Sequence, residues 1–143
     1  MSPFFLLKRT NENKTAKTTK NKEIKTNAMR ILDSLKISYE GYFYECDEFI
    51  DALKIADQLG LPYEKVYKTL VTRAASKNFY VFVIPIAEEL DLKKAARVVG
   101  EKSVEMIHVK EINSITGYIR GGCTAIGMKK KYVTHVDSSA KEL

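Results

Sequence analysis

The feature that most constrains the fold is a short run of apolar side chains at six consecutive positions, Phe79–Ile84, which ends at Pro85. Six residues are far too few to cross a bilayer, which takes about 20. The run is aromatic and β-branched, as strands are, and successive side chains along a strand face opposite sides of the sheet. The run therefore predicts a central strand that other elements cover on both faces.

The segments around this run predict the rest of the sheet. Val66–Thr72 precedes it as a second strand, and the turn-like residues 74–78 between them indicate a hairpin. Further strands are expected at the aromatic stretch Tyr42–Tyr44 and at Ser103–Met106 and Tyr132–Val136.

Four helices are predicted from caps and apolar stripes. They begin after Thr26, at Asp47 or Glu48, after Asp91 and at Val109, and the last three end at Gly60, Gly100 and Gly117. Strands and helices do not alternate regularly along the chain. We therefore expect an α/β fold of mixed α+β type, with an antiparallel or mixed sheet and helices packed on it.

The positive charge of the chain is confined to its start. The formal net charge is +6, yet residues 1–30 hold 8 Lys/Arg against 2 Asp/Glu, and residues 31–143 hold 16 against 16. Residues 8–25 have almost no apolar side chains, so we expect residues 1–25 to form a disordered basic tail. A basic isoelectric point therefore does not by itself predict a nucleic-acid partner.

Cysteine and histidine are too sparse for a disulfide framework or a structural metal site. Cys46 and Cys123 lie far apart, and neither His108 nor His135 belongs to a Cys/His cluster. We expect no metal and no cofactor. With neither a membrane span nor a signal sequence, a cytoplasmic location and no membrane partner are expected.

Lys68 is the first candidate functional residue. Strand alternation puts it on one face with Val66 and Leu70, where an ammonium group is costly to bury and is a candidate for chemistry. The alternative is a lysine at a strand end that extends its amine to water, and the residues alone favour that alternative.

The second candidate is the glycine-rich loop, residues 118–128. Gly121 and Gly122 could present consecutive N–H groups to a carbonyl oxygen or oxyanion, although a Gly-Gly pair is more often a simple turn. Arg120 with Lys129–Lys131 is the local basic cluster of the otherwise neutral body and a candidate for phosphate contacts. Cys123 has no neighbouring base in sequence and reads as a structural thiol.

Taken in order, five segments resemble the YbaK/EbsC family of aminoacyl-tRNA deacylases, which are akin to the editing domain of bacterial prolyl-tRNA synthetases. The segments are Thr26–Leu32, Tyr67–Val71, Glu89–Ala96, Val104–Met106 and Thr116–Cys123. The likeness runs in family order from about Thr26 to Ser139, so we expect residues 26–143 to form one YbaK-like domain.

The resemblance implies a fold, a site and an activity. The fold is a mixed sheet curled into a partial barrel with helices around it. The catalytic positions that match are Lys68, Tyr44 and Gly121. Substrate-binding roles are expected for the neighbouring residues Gly122, Thr124, Arg120, Lys129 and Lys130. The implied activity is removal of cysteine from mischarged Cys-tRNA(Pro), in which the substrate thiol attacks its own ester. Because the folded body is neutral and should bind tRNA weakly, we expect prolyl-tRNA synthetase as a partner.

Two positions depart from the family pattern. Thr124-Ala125 stands where the family has Ser-Pro, which keeps the hydroxyl and loses the proline. The family also continues into a Ser-Gly-Gly-Lys-Arg-Gly segment that adds a strand and pocket residues, whereas this sequence stops at Leu143. We therefore expect a domain without that segment and with an open sheet edge. The alternatives to a Cys-tRNA(Pro) deacylase are a weakly active or inactive binding module of the same fold and a deacylase for another small amino acid, such as alanine.

Overall fold

The computed structural model describes residues 25–42 and 51–143. Its elements in chain order are α1 (Asn27–Ser34), α2 (Ala52–Leu59), β1 (Tyr67–Ala74), β2 (Phe79–Pro85), α3 (Leu92–Val99), β3 (Val104–Met106), α4 (Ile112–Thr116) and β4 (Val133–Val136). Short 3-10 turns lie at Tyr63–Lys65, Val109–Glu111 and Ser138–Glu142. The predicted basic tail, apart from Lys25, and the predicted strand residues Phe43 and Tyr44 lie outside the described residues.

The sheet is mixed, as the fold class predicted, and it is not closed into a barrel. Its four strands run in the order β3-β1-β2-β4, with β1 antiparallel to both β2 and β3 and β4 parallel to β2. The predicted hairpin is therefore confirmed, and β2 is an inner strand. Val81 and Phe82, which point to opposite faces, are both buried.

Two helical layers cover the two faces of the sheet. On the first face, α3 contributes the buried Ala95 and Ala96, small side chains that let the helix lie close to Phe82 and Ile84. On the second face, Val71 and Val81 pack against side chains of α4 and of the glycine-rich loop. We call these the α3 face and the loop face.

The helix ends follow from local chemistry. Thr26 accepts a hydrogen bond from the Met29 amide, and Asp91 accepts one from the Lys94 amide. Gly60 and Gly100 close α2 and α3 in the left-handed conformation, at φ 65° and 72°. The predicted start of α2 was wrong: Asp51, not Asp47 or Glu48, caps it.

One ion pair ties the start of α4 to the sheet. Arg73 Nη2 on β1 donates to Glu111 Oε1 at 2.6 Å, and the His108 amide donates to Glu111 Oε2 at 3.1 Å. These bonds favour the carboxylate, the Arg73 bond most, and hold the pKa of Glu111 below its ordinary 4.5.

Glu111→Gln is expected to make the free energy of unfolding less dependent on pH in the acid range. Because the folded-state pKa is lowered, the stabilisation is fully present above pH 4.5 and is lost as the pH falls below it. Urea unfolding of wild type and variant at neutral pH and below pH 4.5 measures the difference. Glu64→Gln, at an exposed position, is the matched control. A wild-type loss that persists unchanged in Glu111→Gln contradicts the assignment.

Candidate functional site

Lys68 lies on the α3 face, as its position in the sequence predicted. On β1, Lys68 pairs with Ile84 of the neighbouring strand β2. Val66 and Leu70 are the next residues along the chain on the same face. Val66 is fully buried against Ala56 of α2, and Lys68 itself is half-buried. No hydrogen bond or ion pair joins Lys68 to residues 25–42 or 51–143.

A cavity of about 520 Å³ opens on the same face, beside the strand position opposite Lys68. Its apolar wall includes Phe82 and Ile84 of β2 and Val98 of α3. Ile84 is the cross-strand neighbour of Lys68, so the lysine lies one strand away from this cavity and does not itself line it.

The polar rim of the cavity is predominantly acidic. It carries Glu88, Glu89, Asp91 and Asp137 against a single cation, Lys94. Such a rim attracts a positively charged group, for example the α-ammonium group of an amino acid, and repels phosphate.

The segment that closes the cavity beyond β4 is held by its own hydrogen bonds. Asp137 Oδ1 accepts from the Ser139 amide at 2.9 Å and from its hydroxyl at 2.6 Å, which lowers the pKa of Asp137 below 3.8. Ser139 Oγ also shares a hydrogen bond of 2.7 Å with the Tyr67 hydroxyl. The His135 ring stacks on Phe82 with its Nδ1 buried and without a partner among the described residues. Sequence reasoning did not predict this cavity.

The glycine-rich loop lies on the opposite face of the sheet. Its residues Cys123, Ala125 and Met128 pack with Val71 and Val81. Burial raises the pKa of the Cys123 thiol, which supports the structural reading of this cysteine over a nucleophilic one. Lys68 and the loop are thus not brought together on one face.

The two glycine amides are not equivalent. The Gly122 amide donates to the Ile119 carbonyl at 3.0 Å, so it is already used and does not serve the expected oxyanion role in this conformation. Gly121 has φ 78°, is exposed, and its amide has no hydrogen-bond partner among the described residues. Of the predicted pair, Gly121 alone has an available N–H.

The other predicted binding residues lie on or after the loop. Thr124 Oγ1 accepts from the Ile126 amide at 3.4 Å and so stabilises the loop itself. Arg120 and Lys130 are exposed, and the stem of Lys129 lies against Gly117. Tyr44 lies outside the described residues, so its catalytic role stays a prediction.

The loop is fixed from outside by α1. Asn27 Nδ2 donates to the Gly127 carbonyl at 3.1 Å. A Cβ at Gly127 would lie 2.6 Å from both Asn27 Nδ2 and Ile31 Cδ1, at a φ of +75° that side chains disfavour. A glycine is therefore required where α1 meets the loop.

The described residues carry neither a metal-binding cluster nor a membrane-crossing helix. No three His, Cys, Asp or Glu side chains in residues 25–42 and 51–143 are grouped so that they could hold a metal ion. No helix in the same ranges is long and apolar enough to span a bilayer.

Comparison with known proteins decides the family. A family model described as "Aminoacyl-tRNA editing domain" matches residues 49–143. The chain is also 43% identical over 124 residues to the "Putative Cys-tRNA(Pro)/Cys-tRNA(Cys) deacylase EbsC" of Enterococcus faecalis, covering 86% of this chain and 76% of that protein. The chain belongs to the aminoacyl-tRNA editing family. The predicted resemblance to YbaK/EbsC proteins is confirmed.

Solved structures agree with this membership. A structure titled as that of "a putative trans-editing enzyme for prolyl tRNA synthetase" is similar with a TM-score of 0.53 and 26% identity. That match covers 59% of this chain and 52% of that one, so this chain spans about half the length of the trans-editing protein. The hypothetical protein APE2540 has the same fold, with a TM-score of 0.65 at 20% identity over 76% of this chain and 71% of its own.

Membership of the editing family supports aminoacyl-tRNA deacylation as the general activity. This activity serves the accuracy of translation. Its substrate class is aminoacyl-tRNA.

Proposed function

We propose that this editing-family protein removes cysteine from mischarged Cys-tRNA(Pro), with Lys68 at the centre of its site. The observation that carries the proposal is Lys68 itself: a half-buried ammonium group without a protein partner in the described ranges, one strand away from a cavity of about 520 Å³. The similarity to the Enterococcus faecalis protein named as a putative Cys-tRNA(Pro)/Cys-tRNA(Cys) deacylase supports this substrate.

The cavity beside Lys68 is proposed to receive the aminoacyl end of the tRNA. Its apolar wall suits a small uncharged side chain, and its acidic rim suits the α-ammonium group that every aminoacyl ester carries. Lys68 would then face the ester, where its ammonium group stabilises negative charge that develops on the carbonyl oxygen.

The proposed chemistry uses the thiol of the substrate. The cysteine sulfur bonds to its own ester carbonyl carbon, the bond from that carbon to the ribose oxygen breaks, and the thiol proton passes to the ribose oxygen. The products are a cyclic thiolactone and a tRNA with a free terminal hydroxyl. An intramolecular attack gains an effective molarity on the order of 10⁵ M or more when it is well oriented. Size alone separates amino acids that differ by one methylene by only about 1–3 kcal/mol.

The proposal assigns no protein nucleophile, in keeping with the buried, packed thiol of Cys123. Gly121, whose loop lies on the opposite face of the sheet, is proposed to donate its amide to a group of the substrate other than the ester oxygen that Lys68 faces. The strand β3 pairs only with Thr72, Arg73 and Ala74, so it does not border the Lys68 half of β1. A substrate that reaches both Lys68 and Gly121 would pass over that half of the strand. Arg120, Lys129 and Lys130 are proposed to contact tRNA phosphates on the loop face, away from the ester, and prolyl-tRNA synthetase is proposed to deliver the tRNA.

The direct test compares amino acids on one tRNA. Purified protein is incubated with Cys-tRNA(Pro) and, separately, Ala-tRNA(Pro), and loss of the ester is followed over the spontaneous rate. We expect faster loss of cysteine only. Loss of both esters at equal rates contradicts the cysteine specificity, and loss of neither supports the alternative of an inactive binding module.

A further inference from the structure

The two sides of helix α3 differ in charge. On the β4 side lies the acid-rimmed cavity, bordered by Asp91, Lys94 and Val98. On the β3 side a second hollow, a groove of about 400 Å³, runs between α3 and the segment that leads into β3. We call it the α3 groove, and its lining residues are Leu92, Lys93, Ala96, Arg97, Glu101, Lys102, Ser103 and Val104.

Three cations converge on the α3 groove. Lys93 and Arg97 are four residues apart on α3 and so share one face of the helix, and Lys102 reaches the groove from the opposite wall. All three are exposed, and none forms an ion pair or a side-chain hydrogen bond within the described ranges.

The one acidic residue in the groove is already engaged. Glu101 Oε1 accepts from the Ser76 hydroxyl at 2.7 Å and from the Tyr80 hydroxyl at 2.9 Å. Its charge is thus held by the β1–β2 hairpin, and the groove keeps an excess of two positive charges, three cations against one carboxylate. In a folded body whose residues 31–143 are neutral, this is a local concentration of positive charge.

We propose that the α3 groove binds backbone phosphates of the aminoacyl-tRNA acceptor strand, an inference that rests on the proposed function. The groove and the cavity flank the same helix, whose diameter of about 10 Å separates them. A few nucleotides span that distance, so the ester can enter the acidic cavity while the preceding phosphates reach the groove. The acidic rim of the cavity repels phosphate. The tRNA acceptor strand is therefore expected to lie with its aminoacyl end in the cavity and its phosphates toward the groove.

The position of the groove also distinguishes it from the basic cluster Lys129–Lys131. That cluster follows the glycine-rich loop on the loop face, whereas the groove and Lys68 share the α3 face. A tRNA acceptor strand whose aminoacyl end lies at Lys68 can therefore contact Lys93 and Arg97 without passing to the other face of the β-sheet.

The experiment is the triple variant Lys93→Gln, Arg97→Gln and Lys102→Gln. We expect its KM for Cys-tRNA(Pro) to rise about ten-fold or more, with kcat unchanged. The slope of log KM against log salt should fall by about 2, because each lost phosphate contact on a single strand removes about 0.7. The cysteinyl ester of adenosine, which has no phosphate, should be cleaved as fast as by wild type.

The matched control is Lys36→Gln, Lys54→Gln and Lys110→Gln, which removes the same charge from exposed positions away from the groove. It should keep the wild-type KM and salt slope. Equal losses in both triple variants would show a long-range charge effect and overturn the proposal, as would an unchanged slope in the groove variant.

Failure of the groove and failure of the proposed function are separable. If wild type deacylates nothing, the proposed function fails, and the groove is still tested by binding of uncharged tRNA(Pro) at several salt concentrations. There the groove variant should bind more weakly and with a shallower slope than the control triple. Equal binding by the two would overturn the groove assignment.

Discussion

Lys68→Met is expected to lower kcat/KM for Cys-tRNA(Pro) by about 100-fold or more, the size of effect seen when one preorganised donor to a developing oxyanion is removed. Methionine keeps an unbranched stem of similar length on the α3 face and removes only the charge. Because Lys68 lies between Val66 and Leu70 and opposite Ile84, the loss of that charge also removes a desolvation cost.

Two measurements therefore move differently in this variant. Activity should fall, while the free energy of unfolding, measured by urea denaturation, should stay equal or rise. A lysine with a purely structural role, its amine extended to water, predicts unchanged activity instead, and that result would refute the assignment.

Lys65→Met is the matched control for Lys68→Met. Lys65 is exposed on the 3-10 turn that precedes β1, so the same chemical change takes place three residues away without touching the α3 face. It should leave kcat/KM at the wild-type value. Equal activity losses in the two variants would indicate that net charge, not the position of Lys68, carries the effect.

The elements predicted most accurately from sequence were those whose signals are local. Helix α3 has its N-cap Asp91, its left-handed Gly100 and its buried Ala95 and Ala96 within ten residues, and its predicted bounds Leu92–Val99 are those observed. The strand Phe79–Ile84 was recognised because every position is apolar, and the structure extends it by one residue to Pro85.

The bounds of helices were predicted wrongly where more than one local signal was present. Asp47, Glu48 and Asp51 all precede the apolar stripe of α2, and Asp51 caps the helix through a hydrogen bond from the Leu53 amide. The predicted helix Val109–Ile115 is divided, because its first turn winds as a 3-10 helix that Glu111 joins to β1 through Arg73.

The site was predictable only in part, because its parts come from distant segments. Strand alternation placed Lys68 correctly on an apolar face. The cavity beside it combines β2, α3 and the segment after β4, and no single stretch of sequence carries its signal. The use of the Gly122 amide depends on how the loop turns, which a Gly-Gly pair does not determine.

Cys-tRNA(Pro) whose cysteine carries an S-methyl group is expected to resist the enzyme by about 1,000-fold or more. Methylation adds one carbon, which a pocket distinguishes by only about 1–3 kcal/mol, or roughly 10–200-fold. It also removes the nucleophile, and with it the intramolecular attack, which is worth about 7 kcal/mol or more when well oriented. A poorer fit of the methyl group alone therefore predicts a loss of at most roughly 200-fold, whereas loss of the nucleophile predicts about 1,000-fold or more.

The measurement is kcat under saturating substrate, where a weaker fit of the methyl group does not contribute. Ser-tRNA(Pro), whose hydroxyl is similar in size but a weaker nucleophile than a thiol, is the second comparison and should also be cleaved slowly. If S-methylcysteine is released within about ten-fold of cysteine, a difference that steric fit alone can explain, the attack comes from water instead. The Lys68 ammonium group would then serve an ordinary hydrolysis, because its stabilisation of the oxyanion does not depend on which nucleophile formed it.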